Sequence, residues 1–310
     1  LRMLRAARFI SQLEVAPDPS ITAAVTAMSD RLTIVSAERV RVEFDKLMIT
    51  KKPTFGLWFL IDTGLVDQFF PEIRGMRLEQ DPIHRHKDVL THTLAVVENV
   101  RPDAHPTFDF RLTRLAALFH DIGKPKTRGY KNGKGVTFHH HEVVGSKMTK
   151  KRLKELRFDR QTIDDVSTLV ALHLRFHGYG SGEWTDSAVR RYVRDAGDLL
   201  VHLHVLTRAD CTTRNVRKAQ ALAATYDQLE ARIDQLAQEE ELAVSVALIG
   251  QTRESFLERP PVVPEFSSVV VRLRGMFGDA FEVSLGDGNT AKVKKLSGPM
   301  SKKKRSRRLV

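Results

Sequence analysis

A single cysteine, Cys211, stands among 310 residues. One thiol excludes an internal disulfide framework and a cysteine-based zinc site. It suits a reducing cytosol, so a cytoplasmic protein is expected. The sequence has no apolar run of about 18 residues or more, which excludes a helical membrane span and sets aside a membrane partner. A charged-then-apolar signal segment is also missing. Between residues 88 and 236 no alternation of strand and helix patterns occurs, so the body of the protein is expected to be all-α.

Acidic residues are missing from one end. The formal net charge is +12, yet residues 291–310 carry nine Lys/Arg and no acid. Residues 1–290 therefore hold only about +3, and the surplus is a property of the tail. Such a tail either neutralises phosphates of a nucleic acid or lies solvated, and composition allows both.

What is present is helical periodicity. "LRMLRAARF" opens the chain as a helix already under way, with Arg2, Arg5 and Arg8 on every third residue against Leu1, Met3, Leu4, Ala6, Ala7 and Phe9. A helix is predicted over 19–31 from Pro19-Ser20. Another follows Ser36 as N-cap, with Val40, Phe44, Leu47 and Met48 on its apolar face. "FGLWFLIDTGLVDQFFPEI" predicts two short helices broken at Asp62-Thr63-Gly64. Loops are expected at 129–135 and 177–185, and a linker at 258–266. Beyond it, "SSVVVRLRGMFGDAFEVSLGDGNTAKVKKL" reads as strands turning at Gly286-Asp287-Gly288-Asn289.

The chemistry concentrates in "LTRLAALFHDIGKPKTR". Leu112, Leu115, Ala116 and Phe119 form a buried helix face, and Gly123 and Pro125 stop the helix just past His120-Asp121. That places two metal-capable groups at a helix end inside a bundle. His92 lies on another helix upstream. Downstream come His139, His140 and His141, then His173 and His177, then Asp210. Each histidine alone reads as a surface or core residue; the order H…HD…H…H…D in helical context reads as a metal site. Imidazoles and carboxylates on separate helices suit Mn²⁺, Fe²⁺, Zn²⁺ or Mg²⁺ with open water positions. Such an ion lowers the pKa of bound water and neutralises phosphate, which points to metal-assisted phosphoester hydrolysis. Lys124 is a candidate to steady a phosphate oxygen beside the catalytic pair His120 and Asp121.

These residues resemble the HD phosphohydrolase superfamily: "HT" at 92–93, "LAALFHDIGKPKTR", and "RAD" at 208–210. The resemblance implies His92, His120, Asp121 and Asp210 as defining ligands, with His141 and His173 as the extra histidines of members that hold two metals. A more specific resemblance covers residues 1 to about 240. "LRMLRAARFISQL", "SAERVRVEFDKLM", "HHHEVVGSK" and "LHLRFHGYGSGEWTDSAVRRYVRDAGDLL" resemble bacterial, particularly actinobacterial, CCA-adding tRNA nucleotidyltransferases and their poly(A) polymerase relatives. It implies tRNA, CTP and ATP as partners and Mg²⁺ for the polymerase reaction. It also implies that Arg2, Arg5 and Arg8 contact the incoming nucleotide, and that Glu38, Arg39 and Glu43 form a neck motif bracing that helix. The fold expected is mainly α: helical neck and body over 1–82, an all-α HD domain over 83–240, and an atypical linker and basic, strand-bearing tail over 241–310.

Two features depart from that family. No Gly-rich loop with a nearby Asp-x-Asp, the equipment of its polymerase head, occurs in the sequence, so nucleotide addition by these residues alone is not expected. The tail segments "MFGDAFEVSLGDGN" and "LSGPMSKKKRSRRLV" instead resemble the OB-type barrel of bacterial translation initiation factor one, or a frameshifted or fused end. Three functional readings stand at this point. One is part of a CCA-adding enzyme whose residues 147–157 and Arg190, Arg191 and Arg194 grip tRNA phosphates. The others are a free-standing phosphohydrolase of nucleotides or 2′,3′-cyclic phosphates, and an RNA-binding module that keeps the ligands without turnover.

Overall fold

Several helix starts in this protein are set by short polar side chains. In the computed structural model, which describes residues 1–78, 88–131, 135–179, 184–258, 281–286 and 290–295, Asp18 accepts from Ser20 N and caps α2 (Pro19–Ala27). Asp88 caps α6 (Val89–Asn99) by accepting from Thr91 N, Asp109 caps α7 (Phe110–Phe119) from Leu112 N, and Asp159 caps α10 (Arg160–Leu172) from Thr162 N. Each satisfies an orphan donor of the first helical turn and stabilises it by about 1 kcal/mol.

The remaining order is α1 (Arg2–Leu13), α3 (Ala37–Met48), α4 (Pro53–Asp62), α5 (Pro71–Gly75), α8 (Lys124–Thr127), α9 (His141–Glu155), α11 (Asp186–Ala196), α12 (Leu200–Asp210) and α13 (Val216–Glu258), joined by short 3₁₀ turns. The expected break at 62–64 is present, with Gly64 at φ 71 before the turn Leu65–Gln68. The helix from Pro19 ends earlier than expected, at Ala27, and gives way to a 3₁₀ turn over Ser29–Ile34.

Two expectations are corrected. Residues 129–135 are not simply a loop: β1 (Gly129–Lys131) pairs antiparallel with β2 (Gly135–Thr137), Tyr130 opposite Val136. Three-residue strands are too short to show period-two alternation. Residues 241–258 carry helix rather than linker, because α13 runs on to Glu258.

Two compact units result, residues 1–237 and 238–310. In the second, β3 (Phe281–Gly286) and β4 (Thr290–Lys295) form an antiparallel hairpin whose register pairs Gly286 with Thr290. The expected turn at 287–289, the linker from residue 259 and the basic end from 296 lie outside the described residues. Among the described residues no helix is long and apolar enough to cross a membrane.

The first unit packs one continuous core. On α3, Val40, Phe44, Leu47 and Met48 are all buried, as their spacing predicts. Helices α1 and α4 touch backbone to backbone: a Cβ on Gly56 would lie 2.3 Å from Ala7 O, so only glycine fits. Ser11 Oγ closes that contact, accepting from Gly56 N and donating to Pro53 O.

Polar joints tie the early helices to the later ones. Arg114, on α7, is 2 % exposed and donates to the carbonyls of Val100, Met48 and Thr50. These belong to the ends of α6 and α3, where carbonyls lack helical partners and a cation is favoured. Arg111 pairs with Asp45 across the same joint, and Arg152 on α9 grips Glu72 on α5 through two parallel bonds of 2.9 and 2.7 Å.

Candidate metal centre

Five helices deliver the candidate ligands. His92 lies within α6, His120 caps the C-terminus of α7 and Asp121 follows it. His141 is the first residue of α9, His173 caps the C-terminus of α10, and Asp210 ends α12. The close approach is enforced at Gly123: a Cβ there would lie 2.2 Å from His141 O and 2.8 Å from Gly145 N. Glycine lets the turn after Asp121 press onto α9, which brings His141 against the His-Asp pair. Helix α12 is held against α13 by Arg208, which binds Asp227 and Glu230, and by Tyr226, whose hydroxyl donates to Thr207 O.

One device orients three of the four imidazoles. Nδ1 of His120, His141 and His173 lies 2.7, 2.8 and 2.7 Å from the carbonyls of Ala117, Phe138 and Val170, each three residues earlier. A carbonyl only accepts, so Nδ1 carries the proton and, in the neutral ring, Nε2 presents a lone pair. His92 is held by Thr212, whose Oγ1 lies 3.0 Å from Nδ1.

The donor atoms fall into two groups, His92–His120–Asp210 and Asp121–His141–His173, each with all donors within 4.8 Å of one another. Asp210 Oδ1 lies 2.9 Å from His92 Nε2 and 3.7 Å from His120 Nε2. Asp121 joins the groups: Oδ2 is 3.2 Å from His120 Nε2, and Oδ1 is 3.3 Å from His141 Nε2. The Nε2 atoms of His141 and His173 are buried without a hydrogen-bond partner. Lone pairs on Nε2 and on a carboxylate repel at that distance unless a cation lies between them. Orphaned, buried donors of this kind are what a divalent metal satisfies.

The electrostatics prepare the same state. Burial penalises the charged form of Asp121, but the charge and hydrogen bond of His120 and the charge of Lys124 hold its carboxyl well below the usual range. Asp210 is also lowered, against burial, by the His92 hydrogen bond and the His120 charge. Burial, then repulsion from His120, pushes His173 down to about 3, leaving it a neutral donor. Burial opposes charge on His120 too, but Asp121 and Asp210 win and raise it to about 9. The proton on His120 is thus what a divalent cation would displace.

The centre opens to a cavity of about 750 Å³. His92 and Asp210 line it, together with Lys124, Phe138, Thr212 and Lys218. Lys124 Nζ lies 2.6 Å from Asp121 Oδ2, between the carboxylate and the cavity. Thr212 and Lys218 escaped the sequence reading, because no spacing rule links them to the ligands; Thr212 is seen only through its contact with His92.

The expected nucleotide residues lie elsewhere, on α1 and α3. Glu43 is buried and gathers cations: Arg8 Nε donates to Oε2 at 3.1 Å, Arg5 Nε lies at 4.0 Å from Oε1 and Lys46 Nζ at 3.7 Å. Arg8 also donates to Gln12. Arg2 is exposed, as are Glu38 and Arg39; Glu38 faces Arg157 at 3.9 Å. The basic run 147–157 is largely paired internally, Lys150 with Asp164, Arg152 with Glu72 and Glu155.

Four histidines and two aspartates gathered by five helices are the arrangement of an HD domain, and residues 89–215 match the HD domain family. Residues 15–76 match a family described as the probable RNA and SrmB- binding site of polymerase A. The chain is 33 % identical to an A-adding tRNA nucleotidyltransferase of Deinococcus radiodurans, over 68 % of its own length and 48 % of the relative's. It is 33 % identical to a CC-adding tRNA nucleotidyltransferase of Thermus thermophilus, over 62 % and 43 %. A multifunctional CCA protein of Haemophilus influenzae shares 30 % over 57 % and 44 %. Together these matches support the CCA-adding tRNA nucleotidyltransferase family, in its C-terminal, HD-bearing part. It spans about half the length of the curated relatives it matches.

Proposed function

We propose that these residues serve a protein that adds CTP- and ATP-derived nucleotides to tRNA 3′ ends in the cytoplasm. In this reading residues 1–82 bind RNA and nucleotide, residues 83–240 form a metal-dependent phosphohydrolase, and residues 241–310 are an appendage. The observation that carries the hydrolase part is Asp121, whose two oxygens face histidines of both donor groups at once. His92, His120, Asp121 and Asp210 would hold one divalent ion, and Asp121, His141 and His173 a second. Mn²⁺, Fe²⁺, Zn²⁺ and Mg²⁺ all suit this mixed imidazole and carboxylate set. When bound, such ions supply an activated water and neutralise phosphate charge.

The chain's own residues do the rest. Lys124 would leave Asp121 to hold a non-bridging phosphate oxygen, and His120 and Asp121 would help hold the ion. In hydrolysis of a 2′,3′-cyclic phosphate, water oxygen forms the new bond to phosphorus. The bond to one ribose oxygen breaks, and that oxygen takes up a proton. For the nucleotide side, Glu43 fixes the Arg8 guanidinium on a rigid helix, leaving Arg2 and Arg5 exposed to meet base and phosphate. Mg²⁺ belongs to that polymerase reaction. The Glu43–Arg8 bond favours this reading over a free-standing phosphohydrolase, which has no use for it.

The test is metal content of the purified chain with turnover of 2′,3′-cyclic AMP, beside Asp121→Ala. Bound metal and turnover that both disappear in the variant are expected. A metal-free, inert wild-type chain sinks the hydrolase reading and leaves an RNA-binding module.

A further inference from the structure

The hairpin β1–β2 and its flanks are basic. Residues 122–141 contain five Lys/Arg and no acid. Lys126, Arg128 and Lys131 are exposed, and among the described residues none of their side chains makes a hydrogen bond or ion pair. The basic helix α9 that follows is different: Lys150, Lys151 and Arg152 each meet a carboxylate. Between the free cations stands Tyr130, 68 % exposed. Unpaired cations flanking a bare aromatic ring, with no carboxylate to answer them, complement a polyanion that also offers flat apolar faces.

Strand β2 also contributes to the wall of the cavity beside the candidate ligands. Val136, Thr137 and Phe138 line that cavity. Tyr130 pairs with Val136 across the ladder, and directly opposed residues of an antiparallel pair project to the same face. The Tyr130 ring therefore lies on the same face of the hairpin as Val136, one strand out from the cavity lining.

We propose that Tyr130, with Lys126, Arg128 and Lys131, is a docking platform for the single-stranded end of an RNA whose terminal phosphate enters the metal cavity. A base of the strand stacks on Tyr130, and the backbone phosphates run along the three cations. Duplex RNA does not fit this role, because its bases are already stacked on one another. The proposal deepens the hydrolase reading and rests on it for what happens at the candidate ligands: the substrate is a polynucleotide end, and a free nucleotide fills only the inner half of the site.

Binding and turnover separate the two claims. A 5′-fluorescein octaribonucleotide ending in a 2′,3′-cyclic phosphate is titrated with the full chain in EDTA, where no hydrolysis occurs, and followed by anisotropy. Tyr130→Ala is expected to weaken binding at least about five-fold, with Tyr130→Phe restoring it, since stacking needs the ring and not the hydroxyl. The triple variant Lys126→Ala, Arg128→Ala, Lys131→Ala is expected to lower the slope of log Kd against log salt by about 2, at roughly 0.7 per single-strand phosphate contact. Metal-loaded turnover of 2′,3′-cyclic AMP is expected to stay at the wild-type rate in all three variants. Unchanged octamer affinity in Tyr130→Ala and in the triple variant overturns the platform even if wild type hydrolyses cyclic AMP. A duplex of the same sequence binding as tightly as the octamer overturns it as well. Weakened octamer binding in the variants of a chain that never hydrolyses cyclic AMP upholds the platform and sinks only the hydrolase reading.

Discussion

Replacing Arg114 by methionine keeps the apolar stem and removes the guanidinium that joins α7 to the ends of α3 and α6. Three carbonyls, those of Val100, Met48 and Thr50, lose donors at 3.1, 2.7 and 2.5 Å. The side chain is 2 % exposed, so water reaches these groups poorly. A buried acceptor left without a donor costs about 1–3 kcal/mol, which for three gives roughly 3–9 kcal/mol. Two effects oppose this. Burial disfavours the guanidinium and lowers its pKa to about 10, so removing it relieves a desolvation cost. Methionine also restores apolar contact with Phe110, over which the guanidinium now sits at 4.2 Å. The lower end, about 3 kcal/mol, is the expected loss. For a unit of this size that lowers Tm by about 6–12 °C. Urea or thermal denaturation by circular dichroism measures it, with Arg114→Lys expected to fall between, because an ammonium cannot span three acceptors in a plane. A loss below about 1 kcal/mol would refute the view that this buried cation locks the early helices to the metal-binding ones.

Gly123→Ala places a methyl group 2.2 Å from His141 O. It is expected to cost about 1–3 kcal/mol and to weaken metal affinity, because α9 must retreat and take His141 with it; isothermal titration with Mn²⁺ reads the second effect, and unaltered affinity would show that Gly123 does not set the ligand spacing. The metal-free chain is expected to be most stable near pH 6.5. His120, raised to about 9, contributes stability that is complete below 6.5 and is lost as pH climbs to 9. His173, lowered to about 3, stays neutral in the native state while the unfolded chain takes up a proton, so stability also declines from 6.5 toward 3. Saturating metal is expected to flatten the alkaline limb, since the cation takes the proton's place; urea midpoints across this range, with and without metal, check both limbs.

Much of the local structure was legible because it is written in neighbouring residues. Ser36 stands before α3, the apolar spacing of α3 and α7 matches the buried faces, and His120-Asp121 falls at a helix end where Gly123 and Pro125 stop the chain. The order of histidines and aspartates was legible, the resemblance singled out His141 and His173 among the later histidines, and the structure gathers all six candidate ligands. The hairpin at 129–137 was not legible, because its strands are three residues long. The helical stretch 241–258 was not either; its composition suggested a break where the backbone continues.

The sequence alone determined where helices start and stop, which faces are apolar and which side chains are able to bind a metal. These depend on interactions within a few residues. Only the tertiary structure decided which donors meet. It set Asp121 between two groups of ligands, aimed the bare Nε2 atoms of His141 and His173 inward, and put Thr212 behind His92 across 120 residues of chain. It turned Glu43 from an ordinary helix position into the buried partner of Arg8, and placed Arg114 where two helices end. Such pairings are chosen by packing, above all where Gly56 and Gly123 allow backbones to touch, and contacts between distant segments leave no periodic trace in the order of the residues.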